Sequence, residues 1–594
     1  MLTEAPDCLR IARRMLEHLP FCEIVDDLSL CENHWTIHFS VQIKSTGEIP
    51  SETFWYAILP EAYPYGEIEL YPAKKGGIEK TYWHQSYNSP GRPYTPWREG
   101  NPCVSTNFRF WGRKQYDAEP YDAETRLAWH VDRLHDWLIA ADAGNLVHDG
   151  DPFEMPHYPG LSHLKSFGYF NGDAATYSLI SRESKKYGLA HVRRLRRTDA
   201  WMLTALKSNS NAFLLKCPKQ EVAQEDAEKA IWVELQDVPH LSPWQGVRTF
   251  GELRVVIRES GVDLDSIIAQ YSASLRDGKR HLLILGFPVT ECIGGSEVRQ
   301  GWIACRLPIL AHGKIKGFRS TPESYAVYDR IKRILTDDVE IEWLDSRCWD
   351  DSEVLSRGSL SSSARKMKFA IIGLGALGSC LVELLARMGV KDFLLIDGET
   401  LEIGNLTRHT LGLSSLGLSK SMEIAERLRT IEPSICVKAL HKSIEMARLH
   451  DGALLEEADV FVDCTGDDAV LYNLAAMPFE NTKRFISVSI GLGAEMLFVY
   501  GAKAASFPFN DFKDKVNPYI DQEKEKWKGV KLPRAGIGCW NPVFPARADD
   551  IWMMTSVAVK EIEEIVNDVW QGLRIFSLKK YEQSFVGVEQ MLLG

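Results

Sequence analysis

The sequence predicts a multidomain α/β chain, on three observations. At 594 residues it is too long to share one hydrophobic core. Residues 1–155 mix helical and strand periodicities around a loop rich in glycine and proline, the pattern of a small α+β domain. The stretch 351–594 turns to strand, glycine loop, helix, strand, with a G-x-G-x-x-G at Gly373, Gly375 and Gly378 and an acid, Asp397, ending the next apolar run. The intervening 156–350 is read as a middle linker domain.

The elements follow in chain order. "CLRIARRMLEHL" puts Leu9, Ile11, Ala12, Met15, Leu16 and Leu19 mostly on one helical face. "HWTIHFSVQI" and "ETFWYAIL" alternate as half-buried strands do, and "IELYP" follows a proline-marked turn. "HQSYNSPGRPYTPWREGNPCVSTN" is loop, and Leu127, Val131, Leu134 and Leu138 then mark an amphipathic helix. In the middle domain "AIWVEL", "LRVVIR", "HLLILGFPV" and "GWIACRLPIL" read as strands, with no cluster of reactive groups. "SRGSLSSSARK" reads as a flexible lead into the last domain. There Leu381, Leu384, Leu385 and Met388 form the stripe of the helix after the glycine loop, "SKSMEIAERLRTI" is a second helix, and "DVFVDCTG" is a buried strand.

Composition narrows the function. A net charge of −12 argues against a nucleic-acid or anionic-membrane surface. No apolar run approaches the roughly 18 residues a membrane helix needs, and the N-terminus carries acids where a signal peptide would be apolar. None of the 12 cysteines forms C-x-x-C, so reduced thiols in a cytoplasm are expected.

The glycine loop alone does not distinguish a dinucleotide from a triphosphate, because backbone N–H groups at a helix N-terminus attract any phosphate. The residues after Asp397 do. "DGETLEIGNLTRHTLGLSSLGLSK" supplies Asn405, Arg408 and Lys420. A pyrophosphate carries about two negative charges and a triphosphate about four, so the latter calls for extra cations and a metal. Arg408 and Lys420 suit the outer phosphates, and Asp467 in "DCTGDDAV" suits Mg²⁺. Gly373, Asp397 and Asp467 all fall at C-terminal strand ends, where such sheets bind ligands.

"GLGALGS", "IDGETLEIGNLTRH", "GLSK" and "DCTGD" together resemble the adenylation domain of ubiquitin-activating and ThiF-type enzymes. The resemblance implies a Rossmann-like fold, ATP on the loop, ribose on Asp397, phosphates on Asn405, Arg408 and Lys420, and Mg²⁺ on the acid after the "DCT" strand. Three departures stand out: the family's second acid is Glu399 here, the interval from Arg408 to Lys420 is 12 residues and slightly short, and "DCTGDD" is one residue longer than usual, which keeps Asp468 as the rival to the favoured Asp467.

Two cysteines stand where acyl transfer would need them. Cys539, in "KLPRAGIGCWNPVFPARADDI", follows a charged stretch that reads as solvated and mobile, with Lys531 and Arg534 near enough in sequence to favour a thiolate. Its setting resembles the catalytic cysteine of bacterial activating enzymes. Cys103 sits in "GNPCVSTN", and with "LPEAYPYGEIELYP", His84 and Asn88 it resembles the ubiquitin-conjugating family. "HQSYN" replaces the His-Pro-Asn of that family, so either Asn88 or His84 is expected to support amide formation. Cys464, Cys380 and Cys436 read as packing residues, as do Cys8, Cys22 and Cys31.

The whole arrangement resembles the fused activating and conjugating enzyme of bacterial CBASS antiphage operons. That resemblance implies a donor protein's C-terminus (a cGAS-like nucleotidyltransferase), lysine-bearing acceptors and a homodimer. A neighbouring ubiquitin-like protein, sulfur-carrier activation and a non-catalytic scaffold remain as alternatives.

Overall fold

The computed structural model describes residues 5–104, 119–195, 198–216, 227–311, 321–432, 434–534, 544–582 and 584–592. They divide into two compact units, one up to Asp350 and one from Asp351.

The first unit opens with a four-stranded antiparallel meander, Cys22–Cys31, His34–Gln42, Glu52–Leu59 and Glu69–Pro72. Alternation decides its faces: Ile37, Phe39 and Val41 are fully buried, with Trp55, Ala57 and Leu59 on the next strand. Helices Asp7–Leu16 and Arg126–Asp142 close this core with Leu9, Leu16, Leu127, Val131, Leu134 and Leu138. Asp142, at the end of the second helix, accepts backbone N–H groups from Thr46, Gly47 and Ile49 and so ties the hairpin turn to the helix.

The rest of this unit is a closed sheet. In spatial order run Ser162–Tyr169, Glu342–Cys348, Val298–Arg306, Leu282–Thr290, Glu228–Glu234, Tyr187–Arg194 and Asp199–Lys207, with Phe213–Lys216 on the outside. Ser162–Tyr169 pairs with both Glu342–Cys348 and Asp199–Lys207, which joins seven strands into a ring. One apolar cluster draws on all seven, including Phe167, Trp201, Trp232, Ile284, Trp302 and Leu344, as the inside of a barrel does. The alternate residues Ile231, Val233, Leu283 and Leu285 pack against helices Phe250–Glu259 and Leu264–Leu275.

"LRVVIR", read as a strand, lies within the first of these helices. The Thr249 hydroxyl accepts the Glu252 N–H while the Glu252 carboxylate accepts the Thr249 N–H, and this capping box outweighs the β-branched run that follows.

The second unit holds an eight-stranded sheet in the order Cys436–Leu440, Asp392–Ile396, Lys368–Ile372, Val460–Asp463, Lys483–Ile490, Met496–Ala504, Gly572–Tyr581 and Ser584–Gln590. The first five are parallel and the last three antiparallel. One expectation of looseness fails here, and another holds only in part. "SRGSLSSSARK" is anchored: Leu360 and Ala364 enter the core, and the Ser361 N–H donates to Glu563 while its hydroxyl takes the Asn567 amide. The charged run before Cys539 is mostly exposed, as expected, but it begins as the last turns of helix Phe509–Lys526, with Glu523 buried. Cys539 itself lies outside the described residues. No helix among the described residues is long and apolar enough to cross a membrane.

Candidate active site

The glycine loop leaves the end of Lys368–Ile372 and runs into helix Ala376–Arg387. Its three glycines serve different ends. Gly373 has φ +82°, and a Cβ there would lie 2.6 Å from Thr465 Cγ2. A Cβ on Gly378 would lie 2.0 Å from the Gly373 carbonyl oxygen, so this glycine lets the helix close onto the loop. A Cβ on Gly375 would meet nothing within 4 Å. That open face lies at the helix N-terminus, where no side chain caps the first N–H groups, the setting that suits a phosphate.

Leu374 is clamped from both sides. Its N–H donates to Asp397 Oδ2 at 2.6 Å, and its carbonyl accepts from His409 Nε2 at 2.6 Å. His409 Nδ1 accepts the Leu411 N–H, which fixes the tautomer with the proton on Nε2. Burial, with Lys420 nearby, lowers the His409 pKa, so it remains a neutral strut. Sequence reasoning missed His409; its place directly after Arg408 was the available signal. Asp397 spends its second oxygen on the Glu399 N–H at 2.7 Å and is nearly buried, so both its oxygens already hold backbone.

Lys420, at the start of helix Lys420–Ile431, is buried along its stem and reaches Glu399 Oε2 at 2.6 Å, while that carboxylate is 76% exposed. Arg408 donates to the Phe544 carbonyl. Asn405 Oδ1 accepts the Glu402 N–H and caps the short turn Ile403–Asn405.

After strand Val460–Asp463, Asp467 is exposed and caps helix Asp468–Ala475 through the Ala469 N–H. Asp468 instead faces Lys513 at 3.3 Å. An exposed carboxylate whose second oxygen makes no hydrogen bond among the described residues fits Mg²⁺, which takes few protein ligands and completes its shell with phosphates and water. Asp463, not singled out from sequence, is wholly buried. Burial pushes its pKa up to about 6, against hydrogen bonds from Thr465 and Ser487. Cys464 packs beneath the loop, and burial pushes its thiol far up, as suits a packing residue.

In the first unit Cys103 is exposed, one residue past an isolated bridge between Gln85 and Pro102. Its N–H donates to the His84 carbonyl at 2.6 Å. His84 adopts φ +56°, and its Nδ1 lies 2.6 Å from Glu154 Oε2. Burial and the Glu154 charge push the Cys103 thiol up, and Arg133 pulls it down. Asn88 has another occupation. It is buried, its amide donates to the Ile78 and Lys80 carbonyls, and its Oδ1 accepts from Arg98 Nε. The structure thus gives Asn88 the work of holding the loop.

Fold and loop define a mixed α/β enzyme with a C-terminal ThiF-type, Rossmann-like adenylation domain; residues 356–520 match the ThiF family and residues 144–349 match the Cap2 central linker domain. The chain is 30% identical over 551 residues to the ATP-dependent ubiquitin transferase-like protein Cap2 of Enterobacter hormaechei, with 90% of each covered. It belongs to the Cap2 family. It is also 35% identical to the molybdopterin-synthase adenylyltransferase of Escherichia coli over 107 residues, 18% of this chain and 42% of that one. Among solved structures, E. coli MccB with ATP is similar at 15% identity and a TM-score of 0.28, covering 39% of this chain and 65% of that chain.

Proposed function

We propose that the chain activates the C-terminal carboxylate of a donor protein with ATP and joins it to an amine, through thioesters on Cys539 and then Cys103. The open face at Gly375, on an uncapped helix N-terminus, carries this reading. The triphosphate lies along that loop, with Lys420, Arg408 and Asn405 toward its outer oxygens and Asp397 on the ribose side. Asp467 would hold Mg²⁺, which neutralises phosphate charge when bound.

A donor carboxylate oxygen attacks the α-phosphorus and pyrophosphate leaves, giving an acyl adenylate. The Cys539 thiolate displaces AMP. The acyl group passes to Cys103 by thioester exchange, with one C–S bond formed as another breaks. An acceptor lysine then displaces the Cys103 sulfur to give an amide, with His84 as the supporting side chain. From the resemblance to the fused CBASS enzymes, we further infer that the chain works in the cytoplasm as a homodimer in antiviral defence, with a cGAS-like nucleotidyltransferase as donor. Residues 1–155 carry the conjugating step, 351–594 the activating step, and 156–350 link them.

ATP·Mg²⁺ should raise the melting temperature and NAD should not; saturation at 100 times Kd stabilises by about 2.7 kcal/mol. With donor and ATP, Cys103→Ala should accumulate a thiol-cleavable donor adduct on Cys539, and Cys539→Ala should leave Cys103 bare. An adduct on Cys103 in the Cys539→Ala chain would end the two-station scheme.

A further inference from the structure

On the reading of Asp467 as the magnesium ligand, we infer that Thr465 is the positioning residue of that acid. Its hydroxyl, aimed from the core by Asp463, fixes the Asp467 backbone, while its methyl ties the same turn to the glycine loop at Gly373.

The orientation starts in the sheet. Asp463 ends strand Val460–Asp463 and is wholly buried opposite Ser487 of the neighbouring strand, whose hydroxyl donates to Oδ2 at 3.1 Å. Its Oδ1 takes two bonds from Thr465, the hydroxyl at 2.6 Å and the N–H at 3.1 Å. A hydroxyl has one proton to give. Given to Asp463, it leaves the lone pairs of Thr465 Oγ1 free to accept, and they take the Asp467 N–H at 3.1 Å. Gly466 allows that return with φ +66°, a conformation that favours glycine. Asp467 then caps helix Asp468–Ala475, its Oδ1 accepting the Ala469 N–H at 2.8 Å, and its other oxygen makes no hydrogen bond among the described residues.

The methyl of Thr465 faces the glycine loop. A Cβ at Gly373 would lie 2.6 Å from Thr465 Cγ2 and 3.1 Å from the Thr465 nitrogen, so the two loops close on each other because position 373 has no side chain. The Cys464 N–H donates to the Ile372 carbonyl at 2.8 Å and pins the preceding residue to the strand that feeds the glycine loop. Threonine branches at Cβ, so the rotamer that seats the methyl also sets the hydroxyl. The side chain that touches the glycine loop thereby aims the metal acid. Asp468 stands outside this chain of bonds and faces Lys513 at 3.3 Å. Groups that orient a metal's ligand without touching the metal govern its affinity by about tenfold or more.

The test uses the full chain and reads binding, not turnover. Affinity for ATP is measured by calorimetry in excess EDTA and again in excess Mg²⁺, at a temperature below every melting transition. The ratio of the two dissociation constants gives the metal's share. Thr465→Val keeps the branched shape and loses the hydroxyl. It should leave the metal-free dissociation constant within about twofold of the parent and lower the ratio about tenfold, toward that of Asp467→Asn. Thr465→Ser keeps the hydroxyl and should keep the parent ratio. Thr465→Ala also lacks the hydroxyl, should follow Thr465→Val, and replaces it if the valine chain does not fold. The parent ratio in the chains without the hydroxyl, or an equal loss in Thr465→Ser, overturns the role of Thr465. An equal loss of affinity with and without Mg²⁺ overturns it as well, since the hydroxyl would then touch the nucleotide itself. Asp467→Asn at the parent ratio would instead remove the magnesium reading on which the inference rests.

Discussion

At the scale of single residues, Asp463 shows what burial does to a carboxyl. Its usual pKa of 3.8 is pushed up to about 6 by burial, with Thr465 and Ser487 as its partners. A raised carboxyl favours the fold while it is protonated, so its contribution is complete below about pH 4 and is lost as pH climbs through about 6. Asp463→Asn keeps acceptor and donor capacity without the charge. Its melting temperature relative to the parent should therefore rise between pH 4 and 6, and a flat difference would remove Asp463 from the account. The acids expected near C-terminal strand ends were legible in the sequence: Asp397 directly follows strand Asp392–Ile396, and Asp467 lies in the loop after Val460–Asp463. What each oxygen binds was not legible. Asp397 proved committed to Leu374 and Glu399, and Asn88 to Ile78, Lys80 and Arg98, because backbone partners brought together by loops leave no mark in spacing.

At the scale of elements, the glycine loop separates stability from binding. Gly375→Ala places a methyl in open space, so it should melt with the parent yet lose most of the ATP-induced shift. Gly378→Ala forces a methyl onto the Gly373 carbonyl and should melt lower with or without nucleotide. Equal melting temperatures for the two variants would contradict the division of labour. Elements with strong local signals were readable in advance, as in helix Ala376–Arg387, where Leu381 and Leu385 are fully buried. "LRVVIR" was not, since six residues carry too little periodicity to outweigh a cap placed before them. Nor was the barrel: its ring depends on Ser162–Tyr169 meeting strands far along the chain, and no local pattern encodes such pairing.

At the scale of the whole molecule, the chain places Cys103 and the glycine loop in separate compact units joined by covalent continuity. Tethering sets a local concentration that free halves lack. Chains cut between Asp350 and Asp351 should keep donor-dependent ATP–pyrophosphate exchange in the 351–594 piece, while acyl arrival at Cys103 on the other piece should become proportional to protein concentration. Concentration-independent transfer between the pieces would show that a tight complex, not the tether, supplies proximity.

The closed ring of strands has a consequence for motion. A sheet with free edges frays one strand at a time, whereas a ring must break two ladders to release any strand, so its amides open together. The hairpin turn of that ring grips residues 150–153, and Trp244 donates its N–H to Thr81, whose hydroxyl accepts the Asn88 N–H. The Cys103 amide should therefore exchange its hydrogen for deuterium on the slow timescale of the distant barrel amides, rather than on the fast timescale of an exposed loop: the thiol is open to reagents while its backbone is held still.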